Sequence, residues 1–199
     1  SRGLGDVYKR QVLAIAGLTA TANAQIQKGN WMVGGNLAGA NFGLNKGGGY
    51  DFNIQPKGAY FIEDNIALGG YVDLGFKGAK DAPTTFTYNV GALGRYYLNP
   101  GEQGVSNLLH HGRWFLEGNV GVGGTSISKG GSSSNGLNFG FGPGYSYFIT
   151  PNIGLEGLVK YDANAGFGSG GYTNKITFGL GFQIYLPTSK AKQIINDVK

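Results

Sequence analysis

Few residues of this chain are of a type and spacing that could do chemistry. His110 and His111 are its only histidines and stand side by side. A metal site needs further ligands at workable spacing, and none lies near them, so they read as a solvated loop pair. With no cysteine in the chain, thiolate zinc sites, thiol nucleophiles and disulfides are excluded. The glycine-rich runs GFGPGY (140–145) and GFGSGG (166–171) are neither placed between a strand and a helix nor followed by a Lys-Ser/Thr pair. They read as small interior residues and a loop rather than as phosphate cradles. No Ser–His–Asp set and no paired-carboxylate phrase is visible. The expectation is therefore no catalysis and no cofactor. What remains is a group of charges set in segments of alternating polarity: Asp51, Lys57, Asp73, Arg95, Glu117, Glu156 and Lys160. Charges in that setting serve as buried ion pairs or as a selectivity ring in a pore.

The elements that would position them are strands. From residue 29 onward the dominant period is two. Eight segments follow, at about 30–40, 50–62, 65–76, 85–98, 113–126, 137–149, 152–161 and 174–186. In the last, Ile176, Phe178, Leu180, Phe182, Ile184 and Leu186 share one face, and Thr177, Gly179, Gly181, Gln183 and Tyr185 the other. In the fifth, Trp114, Leu116, Gly118, Val120 and Val122 oppose Phe115, Glu117, Asn119, Gly121 and Gly123. In all eight the apolar face carries no charge. The seven charges above lie on the other face, which is otherwise small and polar.

The facing follows from volume. The large aliphatic and aromatic side chains would overfill an eight-stranded interior, which is only wide enough to be plugged by side chains. A face rich in Gly, Asn and Ser is a poor main solvent face. With the apolar belt outward against lipid, both problems vanish. A Lys or Arg on a lipid face at mid-depth costs about 2–4 kcal/mol, so the absence of charge there is informative. The expected fold is an all-β, eight-stranded antiparallel up-and-down transmembrane β-barrel. Lys57, Arg95, Glu117 and Glu156 each fall about three residues from the same strand ends. They are expected to form a charge layer plugging the barrel, with Arg95–Glu117 its strongest pair, and Asp73 and Lys160 belong to the same interior set.

Composition agrees. Charged residues are 14%, aromatics 13%, and Gly 39 of 199. Low charge with many aromatics excludes disorder, and glycine without a three-residue period excludes collagen. Mean hydropathy is −0.14, and no apolar run reaches the roughly 18 residues of a helical span. The formal charge is +5, of which +2 lies in 1–24 and +2 in 187–199, leaving +1 across 25–186. No basic stripe remains for nucleic acid.

The ends read separately. Residues 1–11, SRGLGDVYKRQ, look like the translation of a transposase-type sequencing adapter. Residues 12–24, VLAIAGLTATANA, read as a signal-peptide remnant with an Ala-x-Ala cleavage pattern before Gln25, which implies export. Residues 25–186 form the barrel domain, and 187–199 a short periplasmic tail. With the chain starting on the periplasmic side, Trp31, Tyr60, Tyr96, Trp114 and Tyr147 fall at one rim. Tyr50, Tyr88, Tyr161 and Tyr172 fall at the other. Two such girdles are expected of a barrel in a bilayer. The turns at 63–65 and 150–152 are short. The stretches 41–49, 77–84, 127–136 and 162–173 are longer and would face outside. The long segment 99–112 on the periplasmic side does not fit this scheme. Pro56 and Pro143 fall inside strands, where each removes a ladder donor, so bulges or breaks are expected there.

On these residues the chain resembles the small outer-membrane β-barrels of Gram-negative bacteria, the OmpA/OmpX-type eight-stranded barrels. The likeness lies in the ANA ending before Gln25, the phrase YFIEDNIALGGYVDLG, the strand end GALGRYYL and the last strand ITFGLGFQIYL. It covers roughly 29–186. The resemblance implies an outer-membrane address, contact with membrane lipid and lipopolysaccharide, and recognition by the barrel-insertion machinery. Family barrels commonly end in an aromatic residue. Here a tail follows Leu186, so the insertion signal would be internal, with Gly181, Ile184 and Leu186 in its pattern. The role expected is structural or surface-interacting, with no protein partner written into the loops. A narrow porin-like channel is the alternative. A soluble lipocalin-like binder with the opposite facing is a further one, and a lipid-modifying enzyme a fainter one.

Overall fold

The computed structural model describes residues 26–43, 48–98, 112–128, 133–167 and 171–189. Residues 1–11 and 12–24, the histidine pair and most of the segment 99–112, and the tail from 190 lie outside the described residues. Eight strands form: β1 (Trp31–Phe42), β2 (Gly49–Glu63), β3 (Ile66–Ala79), β4 (Thr85–Tyr97), β5 (Gly112–Ile127), β6 (Ser134–Thr150), β7 (Ile153–Gly166) and β8 (Tyr172–Leu186). Each pairs antiparallel with the next, and β1 with β8, closing the barrel. Closure gives the backbone donors and acceptors partners without water, as a lipid environment demands.

The strands overrun the alternating segments at one end. β6 starts at Ser134 and β7 continues to Gly166, through stretches expected to be loops. Gly, Asn and Ser there carry no hydrophobic alternation, so the pattern stops short. The ladder continues because each strand still has a neighbour: Gly136 pairs with Gly166, and Thr125 with Ser134. The end where β1 begins and β8 ends is called the lower rim, the other the upper rim.

The facing is apolar outward. Leu68, Leu116, Val120 and Val122 are each 50% exposed, whereas Arg95 and Glu117 are 2% and 3% exposed. A soluble ligand-binding barrel would show the reverse. The inner face can be this crowded because of glycine at points of close approach. A Cβ on Gly91 would lie 2.1 Å from the Val120 carbonyl oxygen. Tyr71, Gly91, Gly121 and Asn138 stand in one cross-strand row, and the Tyr71 hydroxyl reaches Asn138 Oδ1 at 3.2 Å.

At the lower rim, Trp31 meets its cross-strand neighbour Tyr60 at a tilt, with ring centroids 5.1 Å apart. Tyr96, Trp114 and Tyr147 are exposed along the same rim, and Trp114 meets Tyr145 at 5.1 Å. At the upper rim, the Tyr161 and Tyr172 hydroxyls are 2.9 Å apart. Beneath the lower rim the chain from Ile26 folds under the barrel mouth. Asn65 donates to the Ile26 carbonyl, Gly29 to that of Phe61, and Ile26 is buried. The short β2–β3 turn needs a left-handed residue, and Asn65 supplies it with φ 67°.

Neither proline produces a bulge. Pairing of β2 with β3 lapses beside Pro56 between Ile54↔Leu74 and Lys57↔Tyr71, and the register is the same on both sides. Beside Pro143 the β6–β7 ladder likewise resumes unshifted. Each ring faces outward, so the missing donor is lost from one ladder while the pairing on the strand's other side, Gly35↔Pro56 and Leu116↔Pro143, holds the register. The bulges occur elsewhere, at Ala38/Asn41, Phe61/Glu63 and Phe148/Thr150.

This facing predicts the effect of a charge on the belt. Val120→Arg, at the middle of β5, should lower the free energy of folding into phospholipid vesicles by about 2–4 kcal/mol in a urea titration. An unchanged stability would mean that Val120 does not meet lipid.

Candidate functional site

The barrel interior is closed by a charge layer. Register places Arg95 of β4 directly beside Glu117 of β5. The guanidinium donates from Nη2 and Nε to Glu117 Oε2 at 2.6 and 3.0 Å. It also reaches Glu156 of β7, with Nη1 to Oε1 at 2.6 Å and Nη2 to Oε2 at 3.0 Å. Lys57 of β2 donates to both oxygens of Glu117 at 2.8 and 3.1 Å. With its amide turned so that oxygen faces the ammonium, Asn36 accepts from Lys57 at 3.1 Å. Two cations and two anions therefore form a neutral quartet, and every member is buried. Isolated charges would cost several kcal/mol each in such a place, and what offsets that is pairing plus hydrogen bonds to the remaining lone pairs.

Those further bonds come from the neighbouring residues. Arg95 Nη1 donates to the Tyr97 hydroxyl at 2.8 Å. Tyr185 and Ser146 hydroxyls donate to Glu156 Oε1 at 3.2 and 3.1 Å. The Tyr97 and Tyr185 hydroxyls are 2.7 Å apart. The Arg95 guanidinium carbon sits 3.9 Å from the Phe115 ring centroid, a cation–π contact in a desolvated setting. Toward the lower rim, Met32, Phe61, Phe115, Phe148, Tyr185 and Ile26 pack into an apolar cork.

Of the six interior charges expected as one set, the structure brings four together and puts two elsewhere. Asp73 accepts from Asn53 Nδ2 and, at 3.3 Å, from Gln55 Nε2. Lys160 pairs with Asp162 at 3.2 Å. Both stand nearer the upper rim, where they line an open cup of about 380 Å³ together with Asn138, Asp162, Lys175 and Thr177. Their greater distance from the lower rim along β3 and β7 sets them apart from the quartet. Arg95–Glu117 is also not a privileged pair, because Glu156 binds Arg95 at the same 2.6 Å from another side of the barrel. Between quartet and cup, the Tyr71 hydroxyl accepts from Asn119 at 3.0 Å, and in the cup lining Asn138 donates to Asn164 at 3.1 Å. Asp162, Tyr97 and Tyr185 were not expected in these roles. Asp162 and Tyr97 share the inward parity of Lys160 and Arg95, which were, and the alternation puts Tyr185 with Gln183 on the inward face of the last strand without a role.

Of the rim aromatics, Trp31, Tyr60, Tyr96, Trp114 and Tyr147 occupy the lower rim and Tyr161 the upper. Among the described residues no three His, Asp or Glu cluster as metal ligands, and no helix is long and apolar enough to cross a membrane.

No protein-family model matches the sequence, and no curated protein is similar to it. Solved structures are similar. Neisserial surface protein A (NspA) is 21% identical, covering 80% of this chain and 97% of its own, with a TM-score of 0.50. The fold is that of the small eight-stranded outer-membrane barrels. The attachment invasion locus protein Ail of Yersinia pestis is 14% identical, over 80% of this chain and 100% of its own, at a TM-score of 0.49. The outer membrane enzyme PagL is 15% identical, over 78% and 99%, at 0.38.

The quartet predicts an order of effects. Arg95→Met takes the only cation from Glu156 and one of two from Glu117, and should cost about 3–5 kcal/mol in reversible unfolding. Glu117→Gln leaves Arg95 its Glu156 partner and leaves Lys57 an amide oxygen at position 117 and that of Asn36 to donate to, and should cost less. Equal, small losses for both would mean that the layer is solvated.

Proposed function

We propose that this protein is a sealed outer-membrane barrel with a structural or surface-interaction role and no catalytic activity. The single observation that carries the reading is the buried quartet of Lys57, Arg95, Glu117 and Glu156, backed by the aromatic cork. A pore needs a wetted path. Here the level at which the charges meet is filled by side chains with no exposed face on either ionic partner. That arrangement favours an anchoring scaffold over the narrow channel. The outward belt supports a lipid address, and two rims of Trp and Tyr suit the two interfaces of a bilayer.

In this reading the lower rim faces the periplasm and the longer connections of the upper rim face outside. The lipid-facing surface meets membrane lipid and, in the outer leaflet, lipopolysaccharide. The barrel-insertion machinery reads the last strand, with Gly181, Ile184 and Leu186 in the signal. Export depends on the segment 12–24.

The reading is tested in a planar bilayer. Purified, refolded protein added to both chambers should give no steady conductance above the detergent blank. Ohmic single-channel steps of reproducible size would overturn the sealed-scaffold reading in favour of the narrow channel.

A further inference from the structure

Above the quartet the barrel holds a polar basin in two parts. The cup of about 380 Å³ adjoins a second hollow of about 360 Å³ at Thr87, Asn89 and Asn164, which line both. Below lies the Tyr71–Asn119–Asn138 network, and below that the quartet. The basin is therefore blind. A solute arriving from the upper rim can be held there but not passed on.

The two parts differ in charge. The charged residues of the cup come from β2, β3, β7 and β8, and they answer one another. Lys160 pairs with Asp162 at 3.2 Å, and Lys175 stands opposite Asp162 in the ladder. Asp51 has Lys77 at 3.7 Å, and Asp73 accepts from two amides. Three carboxylates against two lysines in the lining leave nothing to draw an anion. With Lys77 counted beside Asp51 the charges cancel, so nothing is left to draw a cation either.

The second hollow has no charged residue in its described lining. Its inward side chains are hydroxyls and amides, among them Thr87, Asn89, Thr125, Ser134 and Asn164. Beside them Gly123, Gly136 and Gly166 stand in one cross-strand row and put no side chain into the space. The polar groups have bonding capacity to spare among the described residues. Thr87 and Thr125 meet only each other, at 3.5 Å, and the Ser134 hydroxyl has no hydrogen bond. Asn89 and Asn164 accept through their oxygens, from Tyr71 at 3.3 Å and from Asn138 at 3.1 Å, and their amide nitrogens donate to nothing. Thr87 and Ser134 are exposed, and Thr125 and Asn164 half-buried, so a solute can reach them. Tyr88 also borders the hollow, but its side chain lies on the outward face with its hydroxyl donated to Asn135 at 3.0 Å.

This lining selects by exclusion. It offers no net charge to an ion and no inward apolar surface to an alkyl or aromatic group. It concentrates neutral donors and acceptors, which suit a solute built of hydroxyls. We propose that the upper basin is a binding site for a neutral saccharide, held on its uncharged β4–β7 side by Thr87, Asn89, Thr125, Ser134 and Asn164. The inference rests on the surface-interaction reading given above and names the chemistry of the partner: an uncharged glycan presented from outside.

Amide chemical shifts in nanodiscs test it. Full-length, isotope-labelled protein in phosphatidylcholine discs is titrated with maltotriose, chitotriose and mannotriose as neutral probes, and with sialyllactose as the anionic comparison. At least one neutral probe should move the Gly123, Gly136 and Gly166 amides along a saturating curve and leave Gly154, near the lower rim, unmoved. Sialyllactose should bind more weakly. Ser134→Ala should weaken binding about fivefold and Asn164→Leu about tenfold, as expected for the loss of one or two neutral hydrogen bonds. Both variants should keep the band shift on boiling that marks a folded barrel. Shifts that never saturate, shifts spread over both rims, equal binding of sialyllactose, or undiminished binding by both folded variants would overturn the proposal. Conductance of the same protein separates the two readings. A barrel that binds sugar and conducts keeps this site and overturns the sealed scaffold, whereas one that neither binds nor conducts loses this site alone.

Discussion

The Arg95 guanidinium lies between the carboxylates of Glu117 and Glu156, on the far side of which stand Lys57, Ser146 and Tyr185. The rest of the barrel depends on that contact. Eight strands enclose a space only as wide as the side chains that fill it, so the interior has room for one guanidinium and the groups that satisfy it. Because the carboxylates come from β5 and β7 and the second cation from β2, the quartet ties together strands that share no ladder. Removing one member leaves the layer with a net charge in a place where an uncompensated charge is costly. Phe115 below and Tyr71 above complete the seal without adding charge.

The outside of the barrel follows from the same crowding. Once the interior is committed to small residues and a few large polar ones, aliphatic side chains have nowhere to go but outward. They can remain there only if the solvent is hydrocarbon. The paired aromatic contacts at the lower rim and the Tyr161–Tyr172 pair at the upper rim mark where that solvent ends. Closure satisfies the backbone along most of the wall. At the upper end, the described pairing of β1 with β8 ends at Ala38↔Gly179.

Much of this was legible in the sequence, and the reason is parity. Alternation from Ile176 to Leu186 sets the outward face of β8, and the same rule places Arg95 and Glu117 inward on neighbouring strands. Parity is local, however, and says nothing about depth across the barrel. Glu156 meets Arg95 from a non-adjacent strand, and Asp73 and Lys160 sit at another level, because strand stagger is set by the closure of all eight strands together. The alternation also fades where glycine and asparagine replace aliphatics, which hid Asp162 and the upper ends of β6 and β7. At the prolines the expected break occurs and the bulge does not. An outward ring loses one ladder bond, and the neighbour on the other side keeps the register, so no bulge is needed. The register shifts that do occur, at Ala38/Asn41, Phe61/Glu63 and Phe148/Thr150, have no proline beside them.

The central claim is that apolar residues meet lipid while the charges are sealed within, and site-directed spin labelling tests it directly. The chain has no cysteine, so single cysteines at Trp114, Leu116, Gly118, Val120 and Val122 can each carry one label in a bilayer. Oxygen collision should exceed collision with a water-soluble nickel chelate at the four inner positions, peak near the middle of the strand, and fall at Trp114. Free access of the nickel chelate along the whole series would place this face in water and contradict the account.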